Sequence, residues 1–188
     1  WTQVAVEEVG ECGTVIGVDL LATSPIEGAV VLVGDITEGE TIEEIVGHLG
    51  GRGLNSVISD ISPRLTGRYD TDQAISLELS TMALDVASDL LTPGGSFVTK
   101  VFQGAGIEGL VDAAKLRFSA VGRYSPTASR TASSETYLVC QKRLKGTQGG
   151  TALEHVQSHL ASIGIVVDED DEGSHDTKVG FRKIPKRD

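Results

Sequence analysis

The chain has 188 residues, a length that fits one domain with a short extension. Hydrophobic residues make up 39% and charged residues 23% of it, which excludes a disordered or fibrous chain and indicates a globular protein. No apolar run reaches the about 20 residues that cross a bilayer, and the first residues lack the pattern of a signal peptide, so no membrane association is predicted.

The two cysteines, Cys12 and Cys140, are far apart in the sequence and have neither metal-binding nor redox spacing. We interpret them as small hydrophobic side chains in a reducing compartment, which predicts a cytoplasmic protein without a metal site. The chain begins at Trp1 and not at a methionine, and we therefore expect it to be part of a longer protein.

The net charge of −11 is unevenly distributed along the chain. Residues 1–99 hold 3 basic and 16 acidic residues, whereas residues 100–188 hold 13 basic and 11 acidic ones. The acidic total argues at first sight against a nucleic-acid partner, but an acidic protein can still have one locally basic face.

Apolar runs typical of strands alternate along the chain with stretches of helical periodicity. The predicted elements, in chain order, are a helix end (1–9), strands 15–21 and 30–33, a helix (41–49), a strand (57–61), a helix (72–91), a strand (96–102), a helix (110–118) and strands 120–124 and 136–141. Thr41 is predicted to cap the helix at 41–49, with Glu44 completing a capping box, and Pro93 with the two following glycines to end the helix at 72–91.

The alternation of strands and helices predicts the fold class. Right-handed strand–helix–strand crossovers give a parallel sheet covered by helices on both faces. The last two strands have no helix between them, so we expect them to pair antiparallel. The predicted fold is α/β and doubly wound, mostly parallel with an antiparallel last strand.

The composition changes from Gly146 onwards. A Gly-rich linker is followed by a predicted helix, a short strand, an acidic run and a basic tail, at 153–163, 165–167, 168–172 and 178–187 respectively. We therefore predict one domain over residues 1–145 and a linker with a charged appendage over residues 146–188.

Four charged residues lie at the ends of predicted strands: Asp19, Asp35, Asp60 and Lys100. Ligands of open parallel sheets bind beyond the carboxyl ends of the strands, so these side chains are candidates for one shared site. A carboxylate there suits a ribose diol, although an acid at a strand end is also a common turn former. Lys100 needs a carboxylate partner, or it loses its proton, because an unpaired ammonium in an apolar strand is costly. A purely structural Lys–Asp bridge is the alternative.

A second motif points elsewhere. Residues 104–109 (GAGIEG) match the G-x-G-x-x-G string between a strand and a helix, which is typical of a dinucleotide site. The motif comes late in the chain, and the next strand, 120–124, does not end in the acid that a nicotinamide ribose requires. A dehydrogenase is therefore the weaker hypothesis.

Five runs of residues together resemble the FtsJ family of RNA ribose 2'-O-methyltransferases. They are DLL at 19–21, GD at 34–35, SDISP at 59–63 with Gly67, PGGSFVTKVFQG at 93–104, and SR at 129–130 with SSETY at 133–137. The resemblance covers about residues 1–143 and implies a Rossmann-like class I methyltransferase. The family's Gly-rich loop, its first catalytic lysine and its first strand would all precede Trp1.

The resemblance also implies the site residues. The implied contacts of the cofactor, S-adenosyl-L-methionine, are Trp1, Asp19, Asp35 and Asp60. Three residues, Asp60, Lys100 and Glu135, correspond to members of the family's Lys-Asp-Lys-Glu catalytic tetrad. Lys100 would accept the proton of the ribose hydroxyl or, held charged by its neighbours, stabilise the developing alkoxide. Glu135 would take part directly or only anchor Lys100.

The substrate implied by the resemblance is a uridine of large-subunit ribosomal RNA within the ribosomal subunit, acted on by a monomer. Transfer RNA as substrate, and a noncatalytic RNA- or ribosome-binding module, are the alternatives. Six basic residues could contact phosphates or form a solvated basic surface: Arg117, Arg123, Arg130, Lys142, Arg143 and Lys145.

Overall fold

The computed structural model describes residues 1–126, 134–146 and 149–165. These residues divide into a first compact unit, Trp1–Arg52, and a second that holds the described chain from Gly53 onwards. No helix in the described ranges is both long and apolar enough to cross a membrane.

The first unit contains two helices and a two-stranded parallel sheet. The elements are α1 (Thr2–Val9), β1 (Val15–Asp19), β2 (Ala29–Val33) and α2 (Gly39–Leu49). The β-branched residues of β1 and β2 pair in register from Val15 opposite Ala29 to Asp19 opposite Val33. Thr41, Ile45 and Leu49 recur every fourth residue of α2, so they share the face that this helix buries.

Two boundaries of the first unit differ from the prediction. Helix α2 begins at Gly39 with Glu38 as its N-cap, and no side chain caps it, so the capping box at Thr41 is wrong. Thr41 is instead buried against Gly34, where its side chain leaves no room for a Cβ. Strand β1 ends at Asp19 because the chain then turns, with the amide of Leu21 donating to Asp19 Oδ1 at 2.9 Å.

The second unit is a four-stranded sheet with three helices. Its elements are β3 (Leu54–Ser59), α3 (Tyr69–Leu90), β4 (Leu91–Phe102), α4 (Ile107–Lys115), β5 (Phe118–Tyr124), β6 (Glu135–Arg143) and α5 (Ala152–Ser162). The strand order is β3-β4-β6-β5. Strand β3 is parallel to β4, whereas β6 lies antiparallel between β4 and β5. This confirms the predicted α/β fold with an antiparallel last strand.

One predicted helix end in this unit is confirmed to within one residue, and a second is wrong. Helix α3 ends at Leu90, three residues before Pro93, because the chain enters β4 at once. Helix α4 ends at Lys115, so the prediction that Phe118 is helical is wrong. Phe118 begins β5 and is 2% exposed, with its ring centroid 6.4 Å from that of Phe97 in β4.

Helix α5 packs against α3 and α4, although its residues follow the predicted domain boundary at 145. A capping box starts it: the amide of Glu154 donates to Thr151 Oγ1, and the amide of Thr151 donates to the carboxylate of Glu154. The buried side chains of α5 include Val156 and Leu160. The predicted strand at 165–167, the acidic run and the basic tail fall at the limit of the described residues or outside them.

Candidate active site

The ends of β3 and β4 bring together two of the predicted site residues. Ser59, the last residue of β3, pairs with Thr99, so the following residue, Asp60, comes beside Lys100. Lys100 Nζ lies 2.8 Å from Asp60 Oδ1, with the lysine side chain 12% exposed and the aspartate side chain 41% exposed. Lys100 thus has the carboxylate partner that a mostly buried ammonium requires.

Strand register places Glu135 on the same face of the sheet. Lys100 pairs with Tyr137 across β4 and β6, and Phe102 pairs with Glu135 two residues along. Glu135 is therefore a diagonal neighbour of Lys100, at a separation that long side chains can bridge. The fold brings Asp60, Lys100 and Glu135 together at one end of the four-stranded sheet.

Helix α3 fixes the backbone of β4 at Lys100. Ser80 Oγ donates to the carbonyl of Lys100 at 2.8 Å, and the amide of Phe102 donates to Ser76 Oγ at 3.0 Å. The two serines lie one turn apart on a buried face of α3, where small side chains let helix and strand approach closely. Sequence reasoning missed them, and their signal was serine at i and i+4 within the predicted helix.

The carboxylate of Asp72 holds the loop that follows Asp60. Asp72 Oδ1 accepts hydrogen bonds from the amide and the hydroxyl of Thr66, at 2.7 and 2.8 Å, and its Oδ2 accepts one from the amide of Gly67 at 3.1 Å. The bond from the Thr66 amide is the main cause that lowers the pKa of Asp72. The sequence signal for this role was an acidic residue in the first turn of a helix, shortly after a Thr-Gly pair.

The first turns of α3 also hold the turn that follows β4. Tyr69 Oη donates to the carbonyl of Gln103 at 2.5 Å, and Gln73 Nε2 donates to the carbonyl of Ala105 at 2.9 Å. From the other side, the amide of Gln103 donates to the carbonyl of Ser134 at 2.8 Å. Loops on both sides of the Asp60–Lys100 pair are therefore anchored to the same helix end.

The G-x-G-x-x-G string has a packing role. A Cβ at Gly104 would collide with Gln73, one at Gly106 with Leu77 and Leu160, and one at Gly109 with His159. Gly106 also caps α4 in the left-handed region, at φ 84°. Side-chain crowding from α3 and α5 thus accounts for these glycines without a dinucleotide.

Two of the predicted cofactor residues of the first unit lie at neighbouring strand ends. Asp19 ends β1, and its carbonyl accepts the amide of Gly34 at 2.9 Å, which places Asp19 and Asp35 at neighbouring strand ends. Asp35 Oδ1 accepts from the amide and the hydroxyl of Thr37, at 2.9 and 2.7 Å, and so shapes the next turn. Trp1 is the N-cap of α1 and is 49% exposed.

Two of the arginines predicted to contact phosphate form hydrogen bonds within the protein instead. Arg117 is 3% exposed, and its guanidinium donates to the carbonyls of Ala113 and Gly150, both at 2.8 Å, and to Asp85. The prediction that Arg117 contacts phosphate is therefore wrong, because the group is buried. Arg143 is half-buried and donates to the carbonyl of Ser88.

The remaining four basic candidates have different positions. Arg123 Nη1 pairs with Glu108 Oε1 at 2.9 Å on the surface. Lys142 and Lys145 are exposed and stay predictions, and Arg130 lies outside the described residues. Among the described side chains, no group of three or more His, Cys, Asp or Glu could hold a metal ion.

The fold is found in solved methyltransferase structures. A crystal structure from Plasmodium falciparum, provisionally named a ribosomal RNA methyltransferase, superposes with a TM-score of 0.70 over 78% of this chain and 81% of that one. At 22% identity, this likeness shows the fold alone. The α/β fold of this chain is therefore shared with a solved structure that is named a methyltransferase.

The chain belongs to the FtsJ-like methyltransferase family, whose sequence model matches residues 1–143. The ribosomal RNA large subunit methyltransferase E of Methanothrix thermoacetophila is 48% identical over 144 residues, which are 77% of this chain and 55% of that protein. Its namesake from Halorubrum lacusprofundi is 46% identical over 75% of this chain and 53% of its own length. The chain thus spans about half the length of these relatives, and the resemblance predicted from its motifs is confirmed.

Proposed function

We propose that this chain transfers a methyl group from S-adenosyl-L-methionine to a ribose 2'-hydroxyl of RNA, with a uridine of large-subunit ribosomal RNA as the substrate. The observation that carries the proposal is the Asp60–Lys100 pair, at 2.8 Å, with Glu135 on the same face of the sheet. The names of the relatives support ribosomal RNA as the substrate class.

The chemistry of the strand-end side chains fits the cofactor. Carboxylates at the ends of β1 and β2 are acceptors suited to the hydroxyl and amino groups of an adenosine, and Asp19 and Asp35 hold these positions. We assign Trp1, Asp19, Asp35 and Asp60 as the residues that hold the cofactor. When bound, its sulfonium supplies an activated methyl group.

Lys100 is assigned the central role toward the ribose. Methyl transfer requires chiefly that donor and acceptor be aligned, so the protein contributes by positioning the hydroxyl. The carboxylate of Asp60 lies 2.8 Å from Lys100 Nζ and so fixes the position of the amine. As an ammonium, Lys100 would donate a hydrogen bond to the ribose oxygen and stabilise the negative charge that develops there, while the hydroxyl proton would pass to solvent water. Glu135 orients Lys100 from the neighbouring strand.

The first test is a transfer assay with labelled S-adenosylmethionine and unmethylated large ribosomal subunits, followed by mapping of ribose methylation. The protein is expressed in the full reading frame that contains this chain. We expect label at one uridine 2'-oxygen, and a loss of about 10²- to 10³-fold in the rate for Lys100→Ala with cofactor binding retained.

The matched control is Lys115→Ala, which removes an exposed lysine paired with Asp112 at 2.9 Å on α4. It should leave the rate unchanged. Equal rates for Lys100→Ala and the unsubstituted protein would remove Lys100 from the mechanism. Label on transfer RNA but not on ribosomal subunits would support the proposed reaction and contradict ribosomal RNA as its substrate.

A further inference from the structure

The loop after Asp60 presents two arginines that the sequence analysis did not single out. Arg64 and Arg68 lie in residues 61–68, here called the arginine loop, and both are exposed. Within the described part of the chain, no carboxylate lies within 4.0 Å of either guanidinium. Unlike Arg117 and Arg123, they have no described acidic side chain as a partner.

The arginine loop is fixed at both ends beside the proposed reacting centre. At its start, Asp60 is paired with Lys100. At its end, Tyr69 Oη donates to the carbonyl of Gln103, three residues beyond Lys100 in the chain. Between these anchors, Asp72 accepts three hydrogen bonds from Thr66 and Gly67. The loop is therefore preorganised, and a ligand need not supply the energy to order it.

The short distance along the chain keeps the arginines near Lys100. Arg64 is four residues after Asp60, so their Cα atoms are at most about 14 Å apart even in a fully extended chain. Arg68 precedes Tyr69, which contacts the turn after β4 directly. Both guanidiniums are thus within a few nucleotide lengths of the place where the ribose would lie.

We propose that Arg64 and Arg68 bind backbone phosphates that flank the reacting nucleotide, and so make an RNA strand, not a free nucleoside, the substrate. This inference rests on the proposed function. A guanidinium matches phosphate oxygens with two parallel hydrogen bonds, and its charge persists at all physiological pH values. The second unit uses Arg117 and Arg143 internally, whereas Arg64 is exposed and only four residues after Asp60.

Salt dependence of binding tests this contact directly. The affinity for a fluorescein-labelled single-stranded oligoribonucleotide is measured by anisotropy over a range of salt concentrations. Each lost phosphate contact should reduce the slope of log K against log salt by about 0.7, so Arg64→Ala with Arg68→Ala should reduce it by about 1.4. The loss should be equal for oligonucleotides of different sequence, because phosphate contacts do not identify bases.

Kinetics of methyl transfer provide the second readout. The double variant should raise the KM for RNA while kcat and the affinity for S-adenosylmethionine stay unchanged. Arg64→Lys with Arg68→Lys retains both charges and should keep the salt slope. Asp72→Asn keeps both arginines but weakens the hydrogen bonds that hold the loop, and it should raise the KM for RNA as well. Lys115→Ala is the control for loss of a paired surface charge.

The outcomes separate the two proposals. If the unsubstituted protein transfers methyl groups to RNA and the double variant matches it in KM and salt slope, the phosphate contact is overturned and the function stands. If no RNA accepts a methyl group, the proposed function fails, and the binding slopes alone decide whether Arg64 and Arg68 contact phosphate. Thermal unfolding of each variant excludes loss of the fold as the cause.

Discussion

At the scale of single residues, the site is built from charges that other groups hold in place. Lys100 was recognisable in the sequence because a lysine in an apolar strand must have a partner, and the structure supplies Asp60. Asp72 was not recognisable in this way. Its three hydrogen bonds run to a loop whose path follows from tertiary packing.

Asp72 should make the stability of the protein depend on pH. Its pKa is lowered below the ordinary 3.8, mainly by the bond from the Thr66 amide, so the folded state favours the ionised carboxylate. The resulting stability is present above about pH 4 and is lost as pH falls through the lowered value. Asp72→Asn should therefore destabilise the protein at pH 7 and lose this effect in acid.

Urea unfolding of the wild type and of Asp72→Asn, between pH 7 and pH 3, measures the difference in their free energies of unfolding. The gap in the free energy of unfolding between the wild type and Asp72→Asn should narrow as pH falls below 4. A gap that stays constant over this range would show that the Asp72 charge does not stabilise the fold.

At the scale of elements, the buried ion pair of Asp85 and Arg117 connects the start of α5 to α3. Asp85 in α3 accepts the amides of Ala152 and Leu153, at 2.7 and 3.3 Å, and its Oδ1 lies 3.3 Å from Arg117 Nη2. Burial raises the pKa of Asp85 and lowers that of Arg117, so each charge depends on the other. The carboxylate thus caps α5 at its N-terminus.

Removing one member of the Asp85–Arg117 pair should lower the free energy of unfolding substantially. Asp85→Ala leaves the Arg117 guanidinium, whose side chain is 2% exposed, without its carboxylate, and should lower the free energy of unfolding by about 3 kcal/mol. The matched variant Asp112→Ala breaks the exposed pair with Lys115 and should cost less than about 1 kcal/mol. Equal effects of the two variants in urea unfolding would contradict a buried, coupled pair.

At the scale of the whole molecule, the features that could be predicted from the sequence are those that depend on local sequence pattern. The alternation of strands and helices predicted the α/β class, and the lack of a helical pattern between the last two predicted strands predicted their antiparallel pairing, which the structure has. The errors arose where tertiary packing decides. Phe118 is a strand residue whose ring stacks on Phe97, and the buried Arg117 guanidinium donates to Asp85 and to the carbonyl of Gly150. The arginine loop was missed because its shape depends on Asp72 and Tyr69 in α3.

The two cysteines differ in exposure, so their reactivity tests the packing around each of them. Cys12 is exposed, whereas Cys140 in β6 is buried, and burial raises the pKa of its thiol to about 12. Because the thiolate is the reactive form, Cys140 should resist a maleimide reagent at pH 7.5 while Cys12 is labelled. Cys140 should react only after the sheet unfolds in urea, in parallel with the loss of circular dichroism. Rapid labelling of both cysteines in the native protein, located by peptide mass spectrometry, would show that β6 is not covered as the structure describes, because a thiol in a close-packed sheet cannot be reached without opening it.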